Sequence, residues 1–145
     1  MQLVHESLVG NPRATPLLEP LVAAARRRGT SMLLGTDVHP ENERPSAVWR
    51  VRVDSDSISG FFNSNYVFFH SFIMLFPEDL GFAIHASGGD LVTFAGPEAF
   101  LREALPPEEL GTEATTQLKA DIEEEHGRGW LDGILDHYAS FMLEE

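Results

Sequence analysis

Alternation of apolar and polar residues is the clearest pattern in the middle of the chain. Between residues 47 and 54, one set of alternating positions is Ala, Trp, Val and Val, and the other contains Arg50 and Arg52. Such alternation predicts a strand with one buried and one polar face. From Tyr66 to Phe76 both sets of positions are largely apolar. This run therefore predicts a central strand that is covered on both sides.

Turn residues connect this predicted core strand to two further strands. The segment 76–81 contains Pro and Gly and leads into an apolar stretch over 82–86, and Gly88-Gly89 leads into another over 91–95. Two-residue glycine turns are typical of β-hairpins, and strands joined by such short connections must be antiparallel neighbours. The sequence therefore predicts an antiparallel meander, and a further short strand is predicted over 31–34.

Apolar residues at intervals of three and four predict a helix over about 16–28. Its last turn contains Arg26, Arg27 and Arg28, where cations meet the negative end of the helix dipole. Gly29 can adopt the left-handed conformation that ends a helix. We interpret the three arginines as a charge-stabilised helix end, with a dedicated anion site as the alternative.

Helical patterns also dominate the C-terminal third of the chain. Gly96-Pro97 is typical of a helix start, and two longer helices are predicted over about 108–126 and 129–143. The last segment has apolar residues on one side, which predicts a stripe buried in the core. The stripe consists of Trp130, Leu131, Ile134, Leu135, Tyr138 and Phe141. In the middle of the chain, residues 58–64 fit either a short helix or a turn.

The composition favours a folded α+β domain. The 145 residues are 43% hydrophobic and 10% aromatic, which is enough apolar area for one sizeable core. We predict a single domain over residues 1–145. Its expected fold is an antiparallel sheet of four or five hairpin-connected strands, packed against an N-terminal helix and C-terminal acidic helices.

Negative charge is concentrated towards the C-terminus. Residues 98–145 contain 13 Asp and Glu against 3 Lys and Arg, a net charge of −10, whereas residues 1–97 have a net charge of −3. A field of one sign attracts basic partners and repels nucleic acid and anionic lipid. We therefore expect a basic protein partner, with no direct nucleic-acid binding and no membrane binding. The acids expected to contact the partner are Glu108, Glu109, Glu113, Asp121, Glu123, Glu124 and Glu125.

The sequence lacks the motifs of the common catalytic and cofactor sites. It has no cysteine, which excludes disulfides, thiolate nucleophiles and thiolate metal ligands. It has no Gly-x-Ser-x-Gly elbow, no glycine-rich nucleotide loop and no His-Glu-x-x-His motif. No secretory signal begins the chain, and no apolar run approaches the roughly 20 residues of a membrane-spanning helix. We expect a cytoplasmic protein that needs no cofactor and is not an enzyme.

One pair of histidines offers an alternative site. A turn centred on Glu78 and Asp79 would place His85 opposite Phe72 and diagonal to His70 on one face of the sheet, about 7–8 Å apart. The sequence pattern supplies no third ligand there, so we expect no metal. Arg50 and Arg52 on the polar face of their strand are candidate anion contacts for a pocket around these histidines.

The leading interpretation is a protein-binding module, inhibitory or chaperone-like, that engages a basic partner through its acidic helices. The order of helix, antiparallel strands and acidic helices also occurs in small bacterial binding proteins such as immunity proteins, which is an analogy of fold only. The first alternative is a small enzyme or ligand-binding domain that uses His70, His85, Arg50 and Arg52. The second is a self-associating structural subunit, for instance a homodimer.

Overall fold

A computed structural model describes residues 1–5, 15–38, 47–66, 72–87 and 91–143 of the chain. These residues form an α+β structure with one six-stranded antiparallel sheet. The strands are β1 (Gln2–His5), β2 (Met32–Val38), β3 (Val48–Arg52), β4 (Phe72–Phe76), β5 (Ala83–Ser87) and β6 (Leu91–Ala95). The helices are α1 (Thr15–Arg27), α2 (Ser55–Tyr66), α3 (Glu98–Ala104), α4 (Gly111–His126) and α5 (Asp132–Tyr138), with short 3-10 turns at Pro107–Glu109 and Ala139–Phe141.

The strand order is β1-β6-β5-β4-β2-β3, so the predicted antiparallel pairing of β4, β5 and β6 is confirmed. The predicted Gly88-Gly89 turn lies outside the described residues. The predicted count of four or five strands is wrong, because β1 pairs with β6 and adds a strand before the first helix. The expectation that consecutive strands pair holds for β2 with β3 and for β4, β5 and β6, but it is wrong between β3 and β4. β2 lies between β3 and β4, and α2 separates β3 from β4 along the chain.

The predicted strand over Tyr66–Phe76 is the largest local difference. Tyr66 ends α2, residues 67–71 lie outside the described residues, and Phe72–Phe76 forms a strand.

Asp54 begins α2 by accepting hydrogen bonds from the Ser57 backbone N–H at 2.7 Å and from its hydroxyl at 2.9 Å. These bonds satisfy hydrogen-bond donors at the start of the helix. They favour a helix over residues 58–64, where the apolar pattern alone fitted either a helix or a turn.

The first helix ends as predicted. Gly29 has a φ of 80°, and its N–H donates to the Arg26 carbonyl while the Thr30 N–H donates to the Ala25 carbonyl. This pair of bonds is a Schellman motif. The three arginines each have a separate contact: Arg26 with the Val53 carbonyl, Arg27 with Glu103, and Arg28 with the ring of Phe100. They stabilise the helix end and do not converge on one point.

The main core lies between one face of the sheet and helices α1, α2 and α3. Leu75, Ile84 and Phe94 are buried on this face, in register across β4, β5 and β6. A very close approach occurs at Gly35, where an added Cβ atom would lie 2.5 Å from Cζ of Phe61. Only a residue without a side chain fits between β2 and α2 at this point.

A second, smaller core lies under α4 at the β1 edge of the sheet. Leu3 and Leu91 pack there against Leu118, Ile122 and Leu131, and all five are buried. Leu3 belongs to the face opposite the main core, because its register neighbours are Thr93, His85 and Met74. Helix α4 therefore covers only one end of this second face, defined here by Thr36, Met74, His85 and Thr93.

Beyond α4, the predicted helix over 129–143 is shorter than expected. Regular helix spans Asp132–Tyr138, and a 3-10 turn follows at Ala139–Phe141. Leu131 is fully buried, but Trp130 and Phe141 are 42% and 66% exposed. The predicted buried stripe is thus confirmed at Leu131 and wrong at these two aromatic residues.

Candidate functional site

The structure changes the predicted surroundings of His85. In the observed register His85 pairs with Met74, and Phe72 pairs with Ser87, so the predicted alignment of His85 with Phe72 is wrong by two residues. The turn between β4 and β5 is centred one residue later than the sequence suggested, with Leu80 at a φ of 55°. His70, the other half of the predicted pair, lies outside the described residues.

His85 is half-buried on the second face of the sheet. Burial lowers the pKa of its imidazole from the ordinary value of 6.5, since the charged form loses hydration. No cluster of three or more potential metal-ligating His, Asp or Glu side chains exists within the described ranges. His85 therefore has the environment of a neutral histidine at the edge of a core.

Arg50 and Arg52 lie on the same face of the sheet as His85, but His85 does not line the cavity that they line. They lie on β3, which is separated from β5 by two intervening strands. Three inter-strand spacings place the two strands about 14 Å apart. The predicted group of histidines and arginines is thus spread over the sheet, because β2 and β4 lie between β3 and β5.

The arginines instead line a cavity of about 570 Å³ at the β3 edge of the sheet. β3 is the last strand in the order, and α2 packs beside it. We call this cavity the edge groove; its lining residues are Met32, Trp49, Arg50, Val51, Arg52, Ser57, Gly60, Phe61 and Ser64. Sequence reasoning missed the helix side of the groove, because residues 58–64 fitted either a helix or a turn. The cap at Asp54 and the small residues at positions 57, 60 and 64 were the available signals.

The groove runs along the edge of β3. Four consecutive residues of the strand, from Trp49 to Arg52, line it, although successive side chains of a strand point to opposite faces. A cavity over one face of the sheet would contact only alternate residues. Trp49 is 37% exposed, and its ring lies 5.9 Å from the ring of Phe61 on α2.

The predicted partner-binding acids lie at the other end of the molecule, on α4 and on the 3-10 turn before it. Leu118 and Ile122 form the buried side of α4. Glu113, Asp121 and Glu124 are exposed. Together with Gln117, they occupy positions 113, 117, 121 and 124, which are spaced four, four and three residues apart along the helix. This spacing places them in one row on the solvent side of the helix. We call this row the acidic row.

The remaining predicted acids differ in their surroundings. Glu108 and Glu125 are exposed, whereas Glu109 is half-buried. Glu123 accepts a hydrogen bond from the Gly129 backbone N–H at 2.9 Å and lies 3.7 Å from Nζ of Lys119. Lys119 also pairs with Asp132 on α5, and these contacts raise its pKa. Glu123 therefore helps to join α4 to the following turn.

Acidic and basic surfaces occupy opposite edges of the sheet. α4 packs on β1, and Arg50 and Arg52 lie on β3 at the other end of the strand order. Five inter-strand spacings separate these edges by about 24 Å. This distance is about three times the Debye length at physiological ionic strength, so each surface presents its own field to a partner.

Comparisons of the chain with protein-family models, with curated proteins and with solved structures find no match. Within the described part of the chain, no helix has both the length and the apolar character needed to cross a bilayer.

Proposed function

We propose that the protein is a protein-binding module that engages a basic partner through the acidic row and the adjacent Glu108 and Glu125. The single observation that supports this proposal is the row of exposed acids on one side of α4, Glu113, Asp121 and Glu124. Among the described residues, no ion pair neutralises these three carboxylates. Their charge is therefore available to a partner.

The position of α4 also favours recognition. Its opposite side is anchored by Leu118 and Ile122 in the smaller core, and its first turn is joined to β1 through Gln2. A surface held on a rigid helix presents its charges in fixed positions, which lowers the ordering cost of binding. The proposed role is that of an inhibitor or chaperone-like binder, and no catalytic step is assigned.

Two alternatives have weaker support. An enzyme or ligand-binding domain around His70 and His85 would require convergence with Arg50 and Arg52, which lie about 14 Å away from β5 by strand spacing. In a self-associating subunit, the acidic rows of the two copies would have to lie apart, because their like charges repel each other. No specific observation favours either alternative over binding to a basic protein.

Site-specific photo-crosslinking in the native source tests the proposal. A benzophenone amino acid at Gln117, in the middle of the acidic row, is expected to capture a basic protein. The matched control carries the same group at Ala99, an exposed residue of α3. Equal capture at both positions, capture of an acidic protein or only of a second copy, or no capture at all would each contradict the proposal.

A further inference from the structure

We propose that the edge groove is a second binding surface, which takes an extended segment of a partner protein with acidic residues at alternate positions. The segment would add to β3 as a further antiparallel or parallel strand. This inference is independent of the acidic row, because it concerns the opposite edge of the sheet and a ligand of opposite charge.

The backbone of β3 supplies the first argument. The Val53 N–H donates to the Ser31 carbonyl at 3.2 Å, which fixes the alternation of hydrogen bonds between β2 and β3. By that alternation Val51 and Trp49 bond to β2, so Arg50 and Arg52 direct their backbone groups to the outer edge. Within the described residues, only the Arg52 carbonyl has an additional backbone partner, the Asp54 N–H at 2.9 Å. An added strand can therefore bond to the remaining groups.

The side chains of β3 supply the second argument. Arg50 and Arg52 lie on the same face, two residues apart, and both are exposed. A strand added beside them would place the side chains of alternate residues next to the two guanidinium groups. Acidic side chains at those positions form cross-strand ion pairs with the two arginines. Among the described residues no acidic side chain lines the groove, and of the two arginines only Arg52 interacts electrostatically with Asp54 beside it.

The helix side of the groove supplies the third argument. Ser57, Gly60 and Ser64 are small residues on the side of α2 that lines the cavity. A Cβ atom added to Gly60 would have no neighbour within 4 Å, so space remains above the helix. The intervening residues of an added strand would point into this space, beside Trp49 and Phe61. Apolar side chains of moderate size fit these surroundings.

Charge argues against a second copy of the chain as the occupant. Two β3 strands paired edge to edge would bring Arg50 and Arg52 of both copies onto neighbouring positions, and like charges on adjacent strands are destabilising. The occupant that the groove favours is therefore a different protein segment, in which Asp or Glu alternates with apolar residues.

Fluorescence anisotropy with a labelled peptide tests this inference. The probe is a ten-residue peptide in which Glu and Val alternate, and the control peptide has five Glu followed by five Val. Only the alternating peptide can place all its acids on one face of a strand. We expect it to bind at least about tenfold more tightly than the control, with amide NMR shifts at Arg50 and Arg52. Equal binding of the two peptides, or no binding, would overturn the inference.

Variants of the groove make the test specific. Arg50→Glu with Arg52→Glu should weaken binding by about tenfold or more, because two cross-strand attractions become repulsions. Gly60→Leu should fill the groove and weaken binding similarly. Its matched control is Gly133→Leu on α5, where an added Cβ atom also meets nothing within 4 Å. Thermal unfolding of each variant verifies that it is folded.

The remaining outcomes also decide the matter. Binding that is unchanged by Gly60→Leu, or reduced equally by Gly133→Leu, would place the peptide elsewhere and contradict the inference. A concentration-dependent dimer in sedimentation that Arg50→Pro abolishes would show a second copy on the edge, and would also contradict it. If this test fails, the proposed role of the acidic row still stands, because none of the variants used in the test changes α4.

Discussion

At the scale of single residues, Gln2 shows how one buried polar side chain can join two elements. It is fully buried, its Oε1 accepts a hydrogen bond from the Gly111 N–H at 3.1 Å, and its Nε2 donates to the Leu3 carbonyl at 3.2 Å. A second contact of Nε2 reaches Thr115 Oγ1 at 3.4 Å. These bonds connect β1 to the first turn of α4, which bears the acidic row.

Replacing Gln2 by Met should therefore destabilise the protein by about 1–3 kcal/mol. The change keeps the shape of the side chain but leaves the buried Gly111 N–H without its acceptor. Urea unfolding measures the free energy of unfolding. The matched control is Gln117→Met on the exposed side of α4, which should change it by less than about 0.5 kcal/mol. A Gln2→Met variant as stable as the control would show that the bond contributes nothing.

His85 gives a prediction for pH. Its pKa is lowered from 6.5 by burial, so the unfolded chain binds a proton at His85 more readily than the folded protein does. Its contribution to stability is complete above pH 6.5 and is lost as the pH falls from 6.5 towards the lower pKa of the folded state. As the pH falls through this range, the unfolding free energy of wild type should therefore decrease relative to that of the His85→Gln variant. A difference that is constant with pH would refute the assignment.

At the scale of secondary-structure elements, the packing of α2 on β2 depends on one glycine. Gly35 leaves the space that the ring of Phe61 occupies, and Cζ and Cε2 of that ring would lie 2.5 and 2.6 Å from an added Cβ atom. Phe61 also contacts Trp49 at the edge groove. The position of α2, and with it the shape of the groove, is thus fixed by this contact.

Gly35→Ala should cost about 1–3 kcal/mol of stability, because the ring or the helix must move to relieve the overlap. In a Phe61→Ala background the same substitution should cost much less, since the overlapping atoms are gone. A double-mutant cycle by chemical unfolding measures this coupling. Gly60→Ala, in open space on α2, should be neutral or stabilising by up to about 1 kcal/mol. Additive effects of the Gly35 and Phe61 changes would contradict the close contact.

The same elements show what the sequence could predict. The β4-β5-β6 meander and the end of α1 depend on local turn chemistry, which is visible in Gly, Pro and charged residues. The pairing of β1 with β6 and the insertion of β2 between β3 and β4 are contacts between distant segments, and the pattern of a single strand does not encode its partner. Residues 58–64 fitted either a short helix or a turn, so the helix side of the groove was not predicted.

At the scale of the whole molecule, the fold separates charge more strongly than the linear sequence suggests. The sequence places the acids in its last third, and the strand order then places α4 at one sheet edge and Arg50 and Arg52 at the other. We infer that the two edges act on partners of opposite charge. In the proposed function, the acids of the row would affect encounter with a basic partner mainly through long-range attraction, which salt screens within about 8 Å at physiological ionic strength.

The measurement that tests this account most directly is the association rate of the partner captured at Gln117, determined over a series of salt concentrations. Three proteins are compared: wild type, Glu113→Lys with Glu124→Lys in the acidic row, and Glu19→Lys with Glu78→Lys elsewhere on the exposed surface. Both variants change the net charge equally. The account predicts that reversal in the row slows association by about tenfold at low salt, more than the control does, and that the three rates converge at high salt. Equal slowing by both variants, or a rate indifferent to salt and to reversal, would contradict it.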